Sequence, residues 1–438
     1  MTDTGSLTYQ IGFGNELESE AEPGILPRGR NSPQRPARGL VSELISGTTF
    51  TAPRSLNRRT YVFRAMPSVI HGRYQPAESK TFATPPFNSP PNPNQMRWDP
   101  FDVPDTGVPD TEQDFVDGMF TICGNGSPNG QSGTALHIYR ATAPMTDRFF
   151  LDADGELLVM PVGGTLLVST ELGRLQVGPG ELALIPRGIK FRVELPDGPS
   201  FGFVCENYGL PFRLPELGLI GSNGLANAVD FHVPDAWYEI EEKACTLTQK
   251  FCGTFWEASL GHSPLDVVAW RGNHVPAKFN MYDFVALGTA TVDHPDPSIF
   301  CALSSPSDEV LGGNADFMVL PPRWAVAEDT FRPPGFHRNC VAEYLGVIAG
   351  KHFGKAGGLS PGGASLHNNW AAHGPDVETF ELNRSVELPP RKIEDSLVFM
   401  IESRQPLQVT DMALSAPEFQ RDYRDHWQGF VRRFGAPA

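Results

Sequence analysis

The sequence predicts a mainly β protein built as a sandwich or barrel, and three observations carry that expectation. First, 44 glycines and 41 prolines in 438 residues come close to one residue in five, against roughly 12% in average usage. Helical bundles and solenoids do not absorb so many breakers, whereas short strands joined by tight turns require them. Second, between residues 135 and 210 short β-rich runs recur at about ten-residue spacing, separated by Gly, Pro and acidic turns. Third, aromatic residues are 10% of the chain and 29 of them are Phe, which supplies a large core and argues against disorder. A chain of 47.9 kDa buries about three quarters of its extended surface, so neither a disulfide nor a metal is needed to fold it.

In chain order, residues 1–64 are rich in Gly and Arg, with short alternating runs such as Thr60–Arg64. Arginines 28, 30, 35, 38, 54, 58, 59 and 64 face a single acid between residues 28 and 64, Glu43, and are expected to form ion pairs within the chain or between subunits, the alternative being a binding face for an anionic partner. Residues 85–109 carry eight prolines interleaved with Phe87, Met96, Trp98, Phe101 and Val103, which predicts an ordered surface excursion held by its aromatics. The clearest strands are Leu157–Met160, Thr165–Thr170, Leu175–Val177, Glu181–Ile185 and Ile189–Leu195. Within them Gly180, Pro186 and Gly188 precede Phe191 in a pattern similar to the second cupin motif, with Phe where a metal-binding His would stand. That likeness implies a barrel that serves as scaffold. A second β unit is expected from about 281 to 412, which divides the chain into 1–280 and 281–438. The last segment reads as a helix: Phe419, Tyr423, Trp427, Phe430, Val431 and Phe434 recur at helical spacing. Ser415 would cap it, with Pro417 in the first turn and Gly435 as the stop.

Charge and motifs exclude several classes. A formal net charge of −16 opposes nucleic-acid binding over most of the surface. The six cysteines form no CxxC pair, so zinc-ribbon and thioredoxin chemistry is not expected. The N-terminus has neither the basic start nor the apolar run of a signal peptide, and no apolar run approaches a membrane span. The expectation is a cytoplasmic protein without membrane or nucleic-acid partners. A P-loop, a GxGxxG after a strand, a GxSxG elbow and HExxH are all missing from the sequence.

Histidine marks where chemistry concentrates, because metal binding and proton transfer both draw on it; five of the eleven lie between 294 and 373, where an even spread would place about two. His337 and Glu343 stand six apart after Pro333-Pro334-Gly335. On an unbroken strand they would be about 20 Å apart, so the chain must bend there for both to reach one metal. A second His follows as His367 or His373, both eligible on spacing alone. Two His and one carboxylate suit the facial triad of non-haem Fe(II) enzymes and would also hold Zn or Mn.

At these residues the chain resembles the homogentisate 1,2-dioxygenase family over nearly its whole length. The resembling stretches include YQIGFGNELESEA from Tyr9, SGTTFTAPR from Ser46, NQMRWDPF from Asn94 and PELGLIGSNGLAN from Pro215. Further ones are SPLDVVAW from Ser263, DHPDPSIF from Asp293, PPRWAVAEDTFRPPGFHRNCVAE from Pro321, and PGGASLH followed by HGPD. The resemblance implies a cupin-like (RmlC-type) fold, with a large N-terminal β domain and a smaller C-terminal domain holding Fe(II). It implies ring cleavage of homogentisate by O₂ to 4-maleylacetoacetate, in tyrosine and phenylalanine breakdown. It also implies a homohexamer arranged as a dimer of trimers. The family's iron ligands fall on His337, Glu343 and His373, its acid–base residue on His294, and a histidine lining the same site on His367. One departure stands out: His352 occupies the place of the family's substrate-contacting Tyr. An imidazole donates a hydrogen bond as a phenol does, but its charge varies near neutral pH.

The substrate's acidic arm needs a donor, and Arg332, Arg338 and Lys351 are candidates by closeness in sequence. Competing readings are a dioxygenase for another aromatic acid such as gentisate, a non-catalytic cupin, and a zinc or manganese cupin isomerase. Substrate panels and metal analysis separate them.

Overall fold

A computed structural model describes residues 7–101, 112–217, 224–284, 300–307, 312–325, 330–331, 335–352 and 358–435. The fold is mainly β. A nine-stranded, a seven-stranded and a four-stranded sheet make up the first unit, the nine-stranded one taking its edge strand Gln408–Val409 from the second, and a six-stranded sheet organises the second.

The strands of the first unit lie where alternation and turn residues put them. Glu156–Gly163, Leu166–Thr170, Gly173–Val177, Glu181–Ile185 and Lys190–Glu194 follow one another through short turns. Gly180 and Gly188 both take positive φ in those turns, a conformation that costs a residue without Cβ little. Phe191 is fully buried and meets the rings of Phe150 and Phe115 edge-on, at 5.7 and 6.2 Å. An aromatic core therefore fills this barrel where the cupin motif would present a ligand.

Beside those rings lies a buried ionic cluster. Lys250 donates to Asp154 at 3.0 Å and also to Glu206. Glu206 further accepts from Tyr208 at 2.9 Å and contacts His137 at 3.2 Å. Asp152, Asp154 and Glu206 would suit a cation by spacing, and the Lys250 ammonium already sits among them. Three arginines of the arginine-rich start are paired within the chain: Arg64 with Asp266, Glu171 and Glu43, Arg59 with Glu16, and Arg38 with Glu22.

The second sheet runs Phe300–Ser305, Ala315–Leu320, Ser396–Ser403, Ala342–Gly350, Ala364–His367 and Met96–Trp98, in that spatial order. Its edge strand comes from the proline-rich excursion. Met96 and Trp98 enter the main core, and the Trp98 indole donates to the Ala413 carbonyl at 2.9 Å. The two units share that core: Phe203 of the first meets Phe399 of the second at 5.0 Å. Val103 lies outside the described residues.

The C-terminal segment differs from expectation. A short helix spans Asp411–Ser415, capped by Thr410, whose hydroxyl accepts from the Ala413 N–H at 3.1 Å. Ser415 ends this helix instead of starting the next one, because Pro417 forces Ala416 into an extended conformation. A single 3₁₀ segment, Tyr423–Trp427, follows, and Gly429 at φ 98° breaks the chain beyond it. Tyr423 is buried, whereas Phe430, Val431 and Phe434 are exposed, so the aromatic spacing does not form one buried helical stripe. Among the described residues no helix is long and apolar enough to cross a membrane.

Candidate metal centre

The inner face of the second sheet carries polar residues in one row. Asp316 lies opposite Glu402, Glu402 opposite Glu343, and Glu343 opposite His367, across four adjacent strands. Strand side chains alternate, so the neighbouring positions point the other way into the shared core, as Tyr344 and Leu366 do. The next inward-facing row, two residues along, holds Leu345, Ser365 and Arg97.

His337 and His373 reach this row from loops. They pair with each other as a two-residue antiparallel bridge, with N–H to O distances of 2.9 and 3.0 Å. That bridge supplies the bend that the spacing of His337 and Glu343 required. Nε2 of His373 lies 2.8 Å from Glu343 Oε2, and Nε2 of His337 lies 3.8 Å from Oε1. One donor atom from each residue falls within 4.8 Å of the others. The remaining ring nitrogens face backbone: His337 Nδ1 meets the Gly335 carbonyl at 3.0 Å and His373 Nδ1 the Ala371 carbonyl at 2.9 Å. A carbonyl only accepts, so each Nδ1 carries the proton and each Nε2 presents its lone pair to the centre. Glu343 and His373 are buried while His337 is half exposed, which leaves the centre open on the His337 side.

Electrostatics suit a cation. Burial alone would raise the Glu343 carboxyl, but the two imidazoles facing it outweigh that effect and hold it at about 2. The same carboxylate raises His337 against the opposing effect of burial. Glu402 goes the other way, pushed up to about 7 by burial and by the charges of Glu343 and Asp316. This donor set fits a divalent metal: two neutral imidazoles and an anionic carboxylate converge, with side-chain and backbone partners that orient them.

The other site residues expected from sequence separate clearly. His367 is buried and stacks on His373, ring centroids 4.0 Å apart, and its Nε2 contacts the Tyr423 hydroxyl at 3.3 Å. His373, rather than His367, supplies the convergent third donor. His294 and Arg332 lie outside the described residues. His352 follows the end of the strand that carries Glu343, two residues beyond its last residue, Gly350. Arg338 and Lys351 are exposed. Arg97 was missed by sequence reasoning, because it stands some 240 residues from the ligands and reaches their sheet only through strand pairing.

Two family models cover the chain. The one described as homogentisate 1,2-dioxygenase N-terminal matches residues 8–281, and the one described as homogentisate 1,2-dioxygenase C-terminal matches 282–434. The chain belongs to the homogentisate 1,2-dioxygenase family. Membership makes it an oxidoreductase with homogentisate and O₂ as substrates. Solved structures similar to it include a cupin 2 conserved barrel domain protein from Leptotrichia buccalis, at 8% identity and TM-score 0.31. That match covers 67% of this chain and 91% of the other. An oxalate decarboxylase mutant from Bacillus subtilis matches at 11% identity and TM-score 0.31, covering 80% of this chain and 90% of the other.

Proposed function

We propose that His337, Glu343 and His373 hold Fe(II), and that the chain opens the ring of homogentisate to 4-maleylacetoacetate in tyrosine and phenylalanine catabolism. The observation that carries this reading is the convergence of two Nε2 atoms and one carboxylate, with both Nδ1 atoms tied to backbone carbonyls. Bound there, Fe(II) supplies electron exchange with O₂ and lowers the pKa of a phenol that reaches it.

The protein's own residues do the rest. Three protein donors on one side leave the opposite side free for substrate and O₂. Glu343 is anionic throughout the neutral range, so it needs no deprotonation to act as a ligand. His367, stacked on His373, forms an aromatic wall beside the centre. His294 takes the phenolic proton as general base, the role that family resemblance assigns to it. Residues 1–280 act as scaffold and 281–438 as the catalytic part. The assembly is a cytoplasmic homohexamer, and His352 contacts the substrate in the place of the family's Tyr, the role that family resemblance assigns to it.

The test is oxygen uptake by anaerobically Fe(II)-loaded protein on addition of homogentisate, with gentisate in parallel. Uptake with homogentisate alone is the expected result. No uptake by fully iron-loaded protein would overturn the substrate, and failure to retain iron would overturn the ligand set.

A further inference from the structure

Among the described residues, the other cations buried as deeply as Arg97 are paired. Arg64 donates to Asp266 at 2.7 and 3.0 Å and to Glu171 at 3.0 Å, and Lys250 is held by Asp154 and Glu206. Arg97 is different. It is 3% exposed, and its Nε and Nη1 are buried without a hydrogen-bond partner among the described residues. Asp99 and Asp376 act on it through their charge, without a hydrogen bond. Leaving a buried guanidinium without an acceptor is costly, so its donors call for one.

Its position says which anion. Arg97 lies opposite Ser365 on the inner face of the second sheet, the face that carries Glu343 and His367. The strand positions of His367 and Ser365 are two residues apart, so Arg97 stands one row from the metal row, about 7 Å along the strand direction. Its guanidinium lies 5.5 Å from the centre of the Tyr423 ring, and the Tyr423 hydroxyl contacts His367, which stacks on the ligand His373. Homogentisate carries one carboxylate, on a short arm beside the ring. An arginine offers the planar donor set best suited to a carboxylate.

We propose that Arg97 binds the carboxylate arm of the substrate. The assignment rests on the homogentisate reading, and it replaces the exposed Arg338 and Lys351 as the arm's partner. It makes Arg97 a specificity-determining residue: the metal receives the ring hydroxyl, and Arg97 selects rings that carry an acid.

The test compares two substrates on Fe(II)-loaded protein, homogentisate and 2-methylhydroquinone, which keeps the ring and lacks the carboxylate. Losing one partner of a buried charged hydrogen-bonded pair corresponds to roughly 30-fold or more in affinity. Arg97→Gln should raise KM for homogentisate by at least that factor. Iron content should stay unchanged, and kcat/KM for 2-methylhydroquinone should move by less than about threefold. Arg97→Lys, which keeps the charge and perturbs packing least, should recover part of the loss. Calorimetric titration of homogentisate under anaerobic conditions should show the same weakening without turnover. Equal losses on both substrates would make Arg97 a support for Tyr423 and overturn the assignment, as would an unchanged KM. Wild-type protein that turns over neither substrate would instead overturn the homogentisate reading, and the carboxylate assignment with it.

Discussion

Asn339 sets the orientation of the Glu343 carboxylate. Its side-chain nitrogen donates to Glu343 Oε1, and its own position is fixed by two backbone contacts. Its Oδ1 accepts from the Val341 N–H at 3.3 Å, and its carbonyl accepts from the Trp370 N–H at 2.8 Å. With Oε1 engaged, Oε2 is left to face His373. Partners of this kind are worth about 10–100-fold in metal affinity. Asn339→Leu, of similar shape but without the donor, should lose Fe(II) to a chelator at 10–100-fold lower chelator activity than wild type, whereas Glu343→Gln should not retain it at all. Matching retention by Asn339→Leu and wild type would show that the hydrogen bond does not orient the ligand. The ligands themselves were legible in the sequence as residue types, because His and Glu in one His-rich window point to a metal. Which His would be third was not legible from spacing, which leaves His367 and His373 equal; the family resemblance points to His373, and in the structure the bridge between His337 and His373 separates the two. Arg97 was hidden for a related reason, since pairing with Ala364–His367 joins positions that no local pattern connects.

At the scale of elements, strands are legible in the sequence where turn chemistry punctuates short alternating runs. The expected strand Glu181–Ile185 is the observed one, and Leu157–Met160 and Ile189–Leu195 differ from the observed strands only at their ends. Such strands are set by local φ/ψ demands and by burial on alternate faces, both written in neighbouring residues. The C-terminal segment departs from its helical aromatic spacing because Pro417 and Gly429 impose backbone limits that the spacing does not express. A further element-scale constraint lies in the strand Ala342–Gly350, which carries Glu343 on one face and packs on the first unit with the other. Gly346 sits where Phe399 crosses: a Cβ there would lie 2.3 Å from Phe399 Cε1 and 3.1 Å from Phe203 Cζ. Overpacking of this kind costs about 1–3 kcal/mol. Gly346→Ala should lower Tm by several degrees, and Phe399→Leu in that background should restore part of the loss. A Tm unchanged by Gly346→Ala would mean that the two sheets are not packed at this ring.

For the molecule as a whole, acid stability depends on groups that the fold buries in one protonation state. His274 is buried, and its Nε2 meets the Arg187 carbonyl at 2.9 Å. Burial brings it from 6.5 down to about 4, the bond to Arg187 opposing only in part. His137, buried beside Lys250, falls to about 3 by burial and by that ammonium. Both stay neutral in the folded protein while the unfolded chain takes up protons below pH 6.5. Their contribution is therefore complete above pH 6.5 and is lost as pH falls from there toward the folded values. At pH 5 each costs roughly 2 kcal/mol, since each unit below the unfolded pKa is worth about 1.4. Glu402 and Asp152 act in the opposite sense, because burial raises them and the folded state takes up their protons first. The total pH profile mixes the two signs, so the informative quantity is a difference between variants. His274→Gln keeps a donor for the Arg187 carbonyl and removes the titration. Urea unfolding at pH 7 and pH 5 should show the wild type losing roughly 2 kcal/mol more than the variant over that interval. Parallel profiles would show that His274 takes up its proton equally in the folded and unfolded chains, and that its burial does not govern the acid limit.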